Sequence, residues 1–527
     1  MKKALLFMVA FLAISMISNA QWTEQASGFT SVSRGIKYVN VVDSSIVWAT
    51  AYDGVTSTNY IQEFTKTVNG GTLWTPGVIN GCAGMEPAMI FAVSATKAYC
   101  PMYRQTGTIP QGIYVTTDGG TTWTRQTSAL FTNSASFPDC MHFFDANNGW
   151  CMGDPISGEF EIYNTTDGGT TWTVVPGSQI PNPVAGEFGV VGYYSAVHDT
   201  LWFGTNKGRI YKSVDKGYNW TVAAIPVTGW NAKYVDVRFK DGSHGIAQDK
   251  SAATVGALVE SSDGGTTWTA ITTTGNVFTN DFAYVPGTAN TYVTTGAAAG
   301  FTGVTYSFNG GHTWTDDAAT IGTQFLATRW YNSSIGWAGG FNTDATTGGM
   351  FRYIGGALEL PVAKFSTPDT LLPLGGTATF TNESTGNPAT YLWTFQDGTP
   401  GSSALKTPPV ITYNISGFKN VTLVVTSDYG TSTKVKTGYI HVGGVGVNEL
   451  GANAVSVFPN PVKNVMTVQA NSNINVIQVY NAAGQLVINQ TVNAKTITIN
   501  TSGLTTGIYN LKAILDNGTI NKKVVIQ

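Results

Sequence analysis

Thr116-Thr-Asp-Gly-Gly-Thr-Thr-Trp123 is the stretch of sequence that decides the fold, because the same eight residue types return at residues 165–172. Four further segments are close variants, and all copies follow the pattern Ser/Thr-x-Asp/Asn-x-Gly-x-x-Trp. The copies end at Trp74, Trp123, Trp172, Trp220, Trp268 and Trp314, so that successive tryptophans are 49, 49, 48, 48 and 46 residues apart. A nearly constant period of this length indicates a repeat protein such as a propeller or a solenoid.

The repeated motif is predicted to build a rigid hairpin turn. Its Asp or Asn side chain accepts hydrogen bonds from backbone N–H groups of its own turn, and its glycines adopt positive φ without strain. The tryptophan then begins the next strand and packs between neighbouring sheets. We expect the following side chains to hold turns and to take no part in catalysis: Asn69, Asp118, Asp167, Asp215, Asp263 and Asn309.

A second, weaker signature precedes each motif and counts the repeats. It is an aromatic or aliphatic residue that enters a strand of small residues. It occurs seven times, at Trp48, Tyr99, Trp150, Trp202, Ile246, Tyr292 and Trp337. The seventh unit lacks a closing motif, whereas Trp22-Thr23 near the N-terminus matches the Trp-Thr pair that ends all the others. We therefore predict an all-β chain in which residues 21–357 form a seven-bladed β-propeller, closed by a strand that starts at Trp22.

These repeats resemble the Asp-box (BNR) repeats of several propeller families. Such repeats occur in sialidases, in two-propeller xyloglucan hydrolases, in sortilin-type receptors and in propellers that resemble photosystem assembly factors. The resemblance implies the architecture and leaves the activity open, because the same box occurs in enzymes and in proteins that only bind.

Two smaller β-sandwich domains are predicted after the propeller. The segment Trp393-Thr-Phe395-Gln-Asp397-Gly resembles the signature of PKD domains, which implies an immunoglobulin-like sandwich over residues 361–442 with Trp393 in its core. A glycine-rich linker is expected at residues 443–452.

The C-terminal segment, residues 453–527, resembles the type A sorting domain of type IX secretion. The blocks that carry the resemblance are 455–461, 477–485, 504–509 and 522–525. The resemblance implies that the type IX machinery is a partner. It also implies transport across the outer membrane, removal of the domain, and either release or attachment to the cell surface.

The N-terminus reads as a secretory signal peptide over residues 1–20, with Lys2 and Lys3 before an apolar run and Ala20 at the cleavage site. No later stretch is long and apolar enough to predict a transmembrane segment. Export exposes the four cysteines to an oxidising compartment. We expect Cys140 to pair with Cys151 across a hairpin and Cys82 with Cys100, the alternative being four buried free thiols.

Composition excludes some classes of partner. A net charge of −3 and a pI of about 6.0 give no electrostatic reason to bind nucleic acid. The five histidines show no ligand spacing, so that no metal site or other cofactor is predicted, although calcium held by loop carboxylates is compatible with the sequence.

Candidate functional residues fall into two groups. Asp154 and Glu187 follow apolar strands and are the candidate carboxylates of a hydrolase. Possible ligand-binding residues are Arg104, Arg238 and Arg329, which we expect to face a central channel, and Trp230 and Trp330, which we expect to be exposed for stacking on sugars beside Asn231 and Tyr331.

The sequence favours a secreted or cell-surface recognition protein, without enzymatic activity, whose propeller binds a glycan or a protein. The first alternative is a secreted glycoside hydrolase that uses channel-facing carboxylates. The second alternative is an assembly or maturation factor for another exported protein.

Overall fold

The computed structural model describes residues 21–230, 233–251, 255–427, 429–443, 454–516 and 518–527. The predicted signal peptide, Asn231 and all but the first residue of the predicted linker lie outside these ranges. The chain divides into two compact units between Leu360 and Pro361. The described residues are almost entirely β structure, and their one helical element is a 3-10 turn at Gly177–Gln179.

The first unit begins with strands β1 (Trp22–Ala26), β2 (Arg34–Val41), β3 (Val47–Asp53), β4 (Glu63–Thr67), β5 (Thr75–Val78), β6 (Met85–Pro87), β7 (Phe91–Ala92), β8 (Ala98–Arg104), β9 (Gly112–Thr116), β10 (Thr124–Arg125), β11 (Pro138–Phe143), β12 (Gly149–Ile156), β13 (Glu159–Thr165) and β14 (Thr173–Val174). It continues with β15 (Gly189–Val197), β16 (Thr200–Thr205), β17 (Arg209–Ser213), β18 (Thr221–Ala224), β19 (Val235–Phe239), β20 (Gly245–Asp249), β21 (Leu258–Ser261), β22 (Thr269–Ala270), β23 (Asp281–Tyr284), β24 (Tyr292–Ala298), β25 (Phe301–Ser307), β26 (Thr315–Asp316), β27 (Ala327–Asn332), β28 (Ile335–Asp344) and β29 (Thr347–Tyr353).

Hydrogen bonding sorts these strands into antiparallel groups, which we call blades 1 to 7. They are, in order, β2–β5, β6–β10, β11–β14, β15–β18, β19–β22, β23–β26, and β27–β29 together with β1. In blade 2 the first strand is interrupted, so that β6 and β7 both pair with β8. Blades 1 and 7 are joined by the pair Gly35 and Phe341.

Closure of blade 7 by the N-terminal strand is confirmed. Strand β1 runs antiparallel to β29, with Trp22 opposite Tyr353. The Trp22 ring lies 5.5–5.8 Å from the rings of Phe325, Trp330 and Tyr353. Its indole N–H donates to the Tyr306 hydroxyl in blade 6 at 2.8 Å. The start of the chain therefore joins two blades that lie about 300 residues later in the sequence.

The Asp boxes form the predicted turns. In blade 2 the Thr116 hydroxyl donates to Oδ1 of Asp118 at 2.9 Å and accepts the N–H of Gly120 at 2.8 Å. Oδ1 of Asp118 also accepts the N–H of Thr122, and these hydrogen bonds lower the pKa of Asp118 to about 2. The other five boxes repeat the arrangement. The box carboxylates are thus occupied by their own turns.

Aromatic residues of the second signature connect each blade to the next. The indole N–H of Trp202 in blade 4 donates to the carbonyl of Gly264 in the box of blade 5, and the Trp202 ring stacks on Phe239 at 3.8 Å. The Tyr99 hydroxyl makes the equivalent bond to Gly168 at 2.6 Å. All 14 tryptophans of the chain are buried.

The second unit contains two separate hydrophobic cores. The first belongs to β30 (Phe365–Ser366), β31 (Leu371–Leu372), β32 (Gly376–Ala378), β33 (Thr381–Asn382), β34 (Thr390–Phe395), β35 (Gly398–Thr399), β36 (Ser402–Ser403), β37 (Ile411–Tyr413), β38 (Gly417–Ser427) and β39 (Gly430–Val442). The second belongs to β40 (Val455–Phe458), β41 (Val465–Tyr480), β42 (Leu486–Asn500), β43 (Gly507–Leu515) and β44 (Gly518–Ile526). Trp393 is fully buried in the first core, where it packs against Phe365 and Phe395.

The predicted disulfides are wrong, and the four cysteines are free and buried. Cys140 lies opposite Met152, and Cys151 lies opposite Met141. Because successive residues of a strand point to opposite faces of the sheet, the two thiols are on different sides of blade 3. The thiols of Cys82 and Cys100 donate instead to the carbonyls of Ile79 and Met89.

We expect Trp22→Ala to lower the free energy of unfolding by about 3–5 kcal/mol, because it removes a buried ring and the bond to blade 6. Urea denaturation of the full chain, followed by near-UV circular dichroism, measures this loss. Val32→Ala is the control, since Val32 is 54% exposed. A loss below about 1 kcal/mol would show that closure by β1 contributes little.

We expect thiol titration without a reductant to detect four thiols per chain in guanidinium and almost none in the native protein. Burial raises the pKa of Cys82 to about 12, so that the reactive thiolate is scarce in the folded state. A count of two or zero thiols in the denatured protein would contradict the structure.

Candidate functional site

A cavity of about 650 Å³ lies among the first strands of all the blades. Its wall takes residues from β2, β7, β11, β15, β19, β23 and β27, so that each blade contributes one strand. The cavity is therefore the central channel of the first unit. It extends toward the ends of these strands, for example to Val42 after β2 and to Ala146 after β11.

Seven side chains, one from the first strand of each blade, form one level of the channel wall, and strand register determines which residues they are. The side chains at this level are Asn40, Phe91, His142, Tyr194, Arg238, Tyr284 and Arg329. Six of them lie directly opposite a second-signature residue on the neighbouring strand, and the exception is Tyr194, which lies opposite Phe203. The two residues of such a pair share one face of the blade, but the partner lies on the first strand, next to the channel, and the signature residue lies on the second strand. This pairing is the sequence signal that could have located the wall.

The channel wall is mainly aromatic around His142. The His142 ring lies 5.1 Å from the Phe91 ring and 5.9 Å from the Tyr194 ring. Burial lowers the pKa of His142 to about 4, so that the imidazole is neutral near pH 7. It offers a ligand one hydrogen-bond donor and one acceptor without a charge.

Two arginines of the wall are held by buried carboxylates. Oδ2 of Asp281 accepts a hydrogen bond from Nη1 of Arg329 at 2.6 Å, and Oδ1 of Asp281 lies 3.6 Å from Nη2 of Arg238. Arg238 also pairs with Asp236 and donates to the carbonyls of Tyr194 and Phe282. These bonds connect blades 4 to 7 around the channel and fix both guanidinium groups in place.

The structure places the predicted arginines differently from one another. Arg238 and Arg329 line the cavity as expected, and their role in binding stays a prediction. Arg104 ends β8 with an exposed side chain and is not part of the cavity wall.

The prediction that two tryptophans are exposed platforms is wrong. Trp230 and Trp330 are only 4% and 6% exposed. Trp230 belongs to the core between blades 4 and 5, and Trp330 packs edge-on against Trp22. Both rings pack between blades, and Trp330 also lines the cavity, so that its role in binding stays a prediction. Tyr331 beside it is 43% exposed.

Asp154 and Glu187 do not line the cavity, and a catalytic role for them stays a prediction. The Glu187 side chain is fully buried, where it pairs with Arg209 at 2.5 Å and accepts the Thr205 hydroxyl at 2.7 Å. It holds a loop and does not face the channel as a free carboxylate. Asp154 accepts the N–H of Gly189, the first residue of β15.

The partner of Asp154 is Asp139, a further candidate carboxylate of the sequence. A register shift between Pro138 and Cys140 lies beside Asp139, and its carboxyl group interacts electrostatically with that of Asp154 on the neighbouring strand. Burial raises the pKa of both groups, and each charge would repel the other. The pair therefore takes up a proton more readily than a free aspartate does.

The part of the chain that the structure describes holds no group of three or more His, Cys, Asp or Glu side chains placed for a metal ion. Calcium binding stays a prediction. No helix in the described ranges is long and apolar enough to cross a membrane.

We expect Asp154→Asn to stabilise the protein more at about pH 7 than at about pH 4. Burial raises the pKa of Asp154 from 3.8 to about 6, so that the folded state binds more protons than the unfolded state in between. Stability contributed by the protonated form is therefore lost as pH rises through about 6. Melting temperatures of parent and variant across this range test the sign.

Asp145→Asn is the control with the opposite sign. Backbone N–H groups of Asn147 and Asn148 lower the pKa of Asp145, so that its contribution is present at neutral pH and lost in acid. Equal shifts for both variants at all pH values would contradict the raised pKa of Asp154.

Comparison with known protein families identifies three segments. Residues 107–230 match the model of photosynthesis system II assembly factor YCF48, residues 359–442 match a PKD domain, and residues 456–527 match a secretion system C-terminal sorting domain. No curated protein matches the chain.

Solved structures with similar folds include YCF48 bound to a D1 peptide, at 15% identity over 64% of this chain and 98% of that chain, with a TM-score of 0.46. YCF48 from Cyanidioschyzon merolae is 14% identical over 63% and 98% of the two chains, with a TM-score of 0.45. An ancestral GH74 enzyme is 14% identical over 95% and 63%, with a TM-score of 0.39. The chain therefore contains an Asp-box segment that matches the YCF48/BNR type, followed by a PKD domain and a secretion system C-terminal sorting domain.

Proposed function

We propose that this is an exported recognition protein whose propeller binds a glycan or protein ligand in its central channel. The sorting domain implies export to the outer-membrane surface or the medium. In this proposal the signal peptide carries the chain across the inner membrane, the type IX machinery carries it across the outer membrane, and the PKD domain is a spacer.

The observation that carries the proposal is the composition of the channel wall. Ligand sites are concave and largely apolar, with a few fixed polar groups that orient the ligand. The cavity has this character. Four of the seven side chains in the wall level described above are aromatic, and Asn40, His142 and Arg329 supply polar groups. Arg329 lies 4.8 Å from the Tyr38 ring and is held by Asp281, so that its position is fixed before a ligand arrives.

The carboxylates of the cavity wall favour ligand binding over glycoside hydrolysis as the function of the channel. Glycoside hydrolysis uses two carboxyl groups on either side of the scissile bond. Among the described residues, the one carboxylate in the cavity wall is Asp145. Both of its oxygens accept hydrogen bonds from Asn147 and Asn148 of its own turn.

We expect Ala196→Trp to weaken ligand binding at least about tenfold, because Ala196 lines the cavity and the larger ring would fill it. The full mature chain is screened on arrays of polysaccharides and peptides, and the strongest ligand is measured by calorimetry. Ala224→Trp is the control, since Ala224 lies exposed on the outermost strand of the same blade.

Two outcomes would contradict the proposal. One is an equal loss of affinity in both variants or in neither. The other is release of soluble sugar from a polysaccharide by the parent protein, read by mass spectrometry against a heat-denatured sample, since this would show hydrolysis.

A further inference from the structure

Two buried polar atoms of charged side chains near the start of β19 lack hydrogen-bond partners in the described chain. Nζ of Lys250 and Oδ2 of Asp236 are buried, and neither has a hydrogen-bond partner in the described chain. The backbone N–H of Lys250 donates to the carbonyl of Tyr234 at 2.8 Å, which fixes the base of the lysine beside β19. A buried polar atom without a hydrogen-bond partner is costly, so that these two atoms indicate a site that another molecule completes.

The two groups have opposite charges but do not form an ion pair. Asp236 gives one oxygen to Arg238 and keeps the other free. Lys250 lies over the Tyr193 ring, with Nζ 5.7 Å from its centre. Asp236 and Asp281 attract the ammonium group, whereas Arg238 and Arg329 repel it. Burial lowers the pKa of Lys250 to about 8, so that the charged form predominates at neutral pH.

Donor and acceptor chemistry narrows the class of ligand. A hydroxyl group can accept a hydrogen bond from an ammonium group and donate one to a carboxylate at the same time. A carboxylate ligand would be repelled by Asp236, and a cationic ligand would be repelled by Lys250. The arrangement therefore fits a neutral ligand that is rich in hydroxyl groups.

Exposed aromatic rings stand next to these charges. Phe188 immediately precedes β15 and is 39% exposed, and Tyr234 immediately precedes β19 and is 43% exposed. Their ring centres are 6.2 Å apart. Both residues lie at the end of the channel where the first strands begin, whereas the cavity extends toward the ends of these strands. Large apolar side chains exposed together indicate a contact surface.

We propose that this end of the channel, between blades 4 and 5, binds a neutral sugar residue, and we call it the entrance. The sugar ring stacks on Phe188 and Tyr234, and its hydroxyl groups form hydrogen bonds with Lys250 and Asp236. The apolar face of a sugar ring suits an aromatic platform, and its hydroxyl groups suit the mixed charges beside it. This inference rests on the proposed function and assigns the ligand class and the residues that select it.

The test uses the full mature chain and a panel of neutral hexasaccharides from β-glucan, mannan, xylan and galactan. A polygalacturonate oligosaccharide and a Ser/Thr-rich peptide are included as competitors of other chemistry. Affinities are measured by calorimetry for the parent and for Phe188→Ala, Tyr234→Ala and Lys250→Met. Tyr218→Ala is the matched control, because Tyr218 is 40% exposed on the box loop of blade 4.

We expect the parent to bind at least one neutral hexasaccharide, and each entrance variant to lose about tenfold or more in affinity, while Tyr218→Ala binds like the parent. All variants are checked for unchanged thermal unfolding, and the two exposed aromatic side chains can be removed without disturbing a core. Unchanged affinity in all three entrance variants would overturn the inference and leave water as the partner of Lys250 and Asp236.

Preference for the acidic oligosaccharide or the peptide would also overturn the inference. If Ala196→Trp abolishes binding while the entrance variants do not, the channel function stands and the sugar site fails. If the entrance variants abolish binding and Ala196→Trp does not, the entrance is the binding site and the cavity is not. If neither set has an effect, both proposals fail.

Discussion

A ring of sheets holds its shape only if the last sheet is bonded to the first, and here that bond is the pairing of β1 with β29. The charged network of the channel depends on this closure, because Arg329 in blade 7 must meet Asp281 in blade 6 and the ring of Tyr38 in blade 1. Without the N-terminal strand, blade 7 would expose an unpaired edge and the core around Trp22 would lose its central ring. The position of every wall residue therefore depends on a contact between the two ends of the first unit.

Local chemistry explains what the sequence could predict. The Asp box is complete within eight residues, so that a reader of the sequence sees all of its hydrogen-bonding partners at once. The exposure of a side chain and the register of a strand are harder to predict, because both depend on residues that are distant in the sequence. The register shift beside Asp139 sets Cys140 opposite Met152, and no short motif announces it. The sequence around Trp330 suggests an exposed ring, whereas in the structure Trp22, more than 300 residues earlier, packs against it. Arg238 and Arg329 could be expected in the channel, whereas Asp236, Asp281 and Lys250 had no pattern of their own.

Charge is scarce in this chain and is used in few places. Only 11% of residues are charged, yet two arginines, one lysine and two aspartates converge around a single channel. Each arginine is neutralised close to its head group, which leaves shape and hydrogen-bond direction as the main means of selecting a ligand. The box carboxylates, by contrast, carry ordinary turns and contribute nothing to the wall.

The burial of all 14 tryptophans has a spectroscopic consequence. Thirteen of the rings lie in the blades and Trp393 lies in the core of the PKD domain, so that indole emission reports mainly the integrity of the blades. The channel wall and the entrance present mainly tyrosine, phenylalanine and histidine rings to solvent. Since Trp330 is the one tryptophan of the 14 that also lines the cavity, intrinsic fluorescence reports mainly folding, and ligand titrations on this propeller call for calorimetry or a tyrosine-sensitive signal.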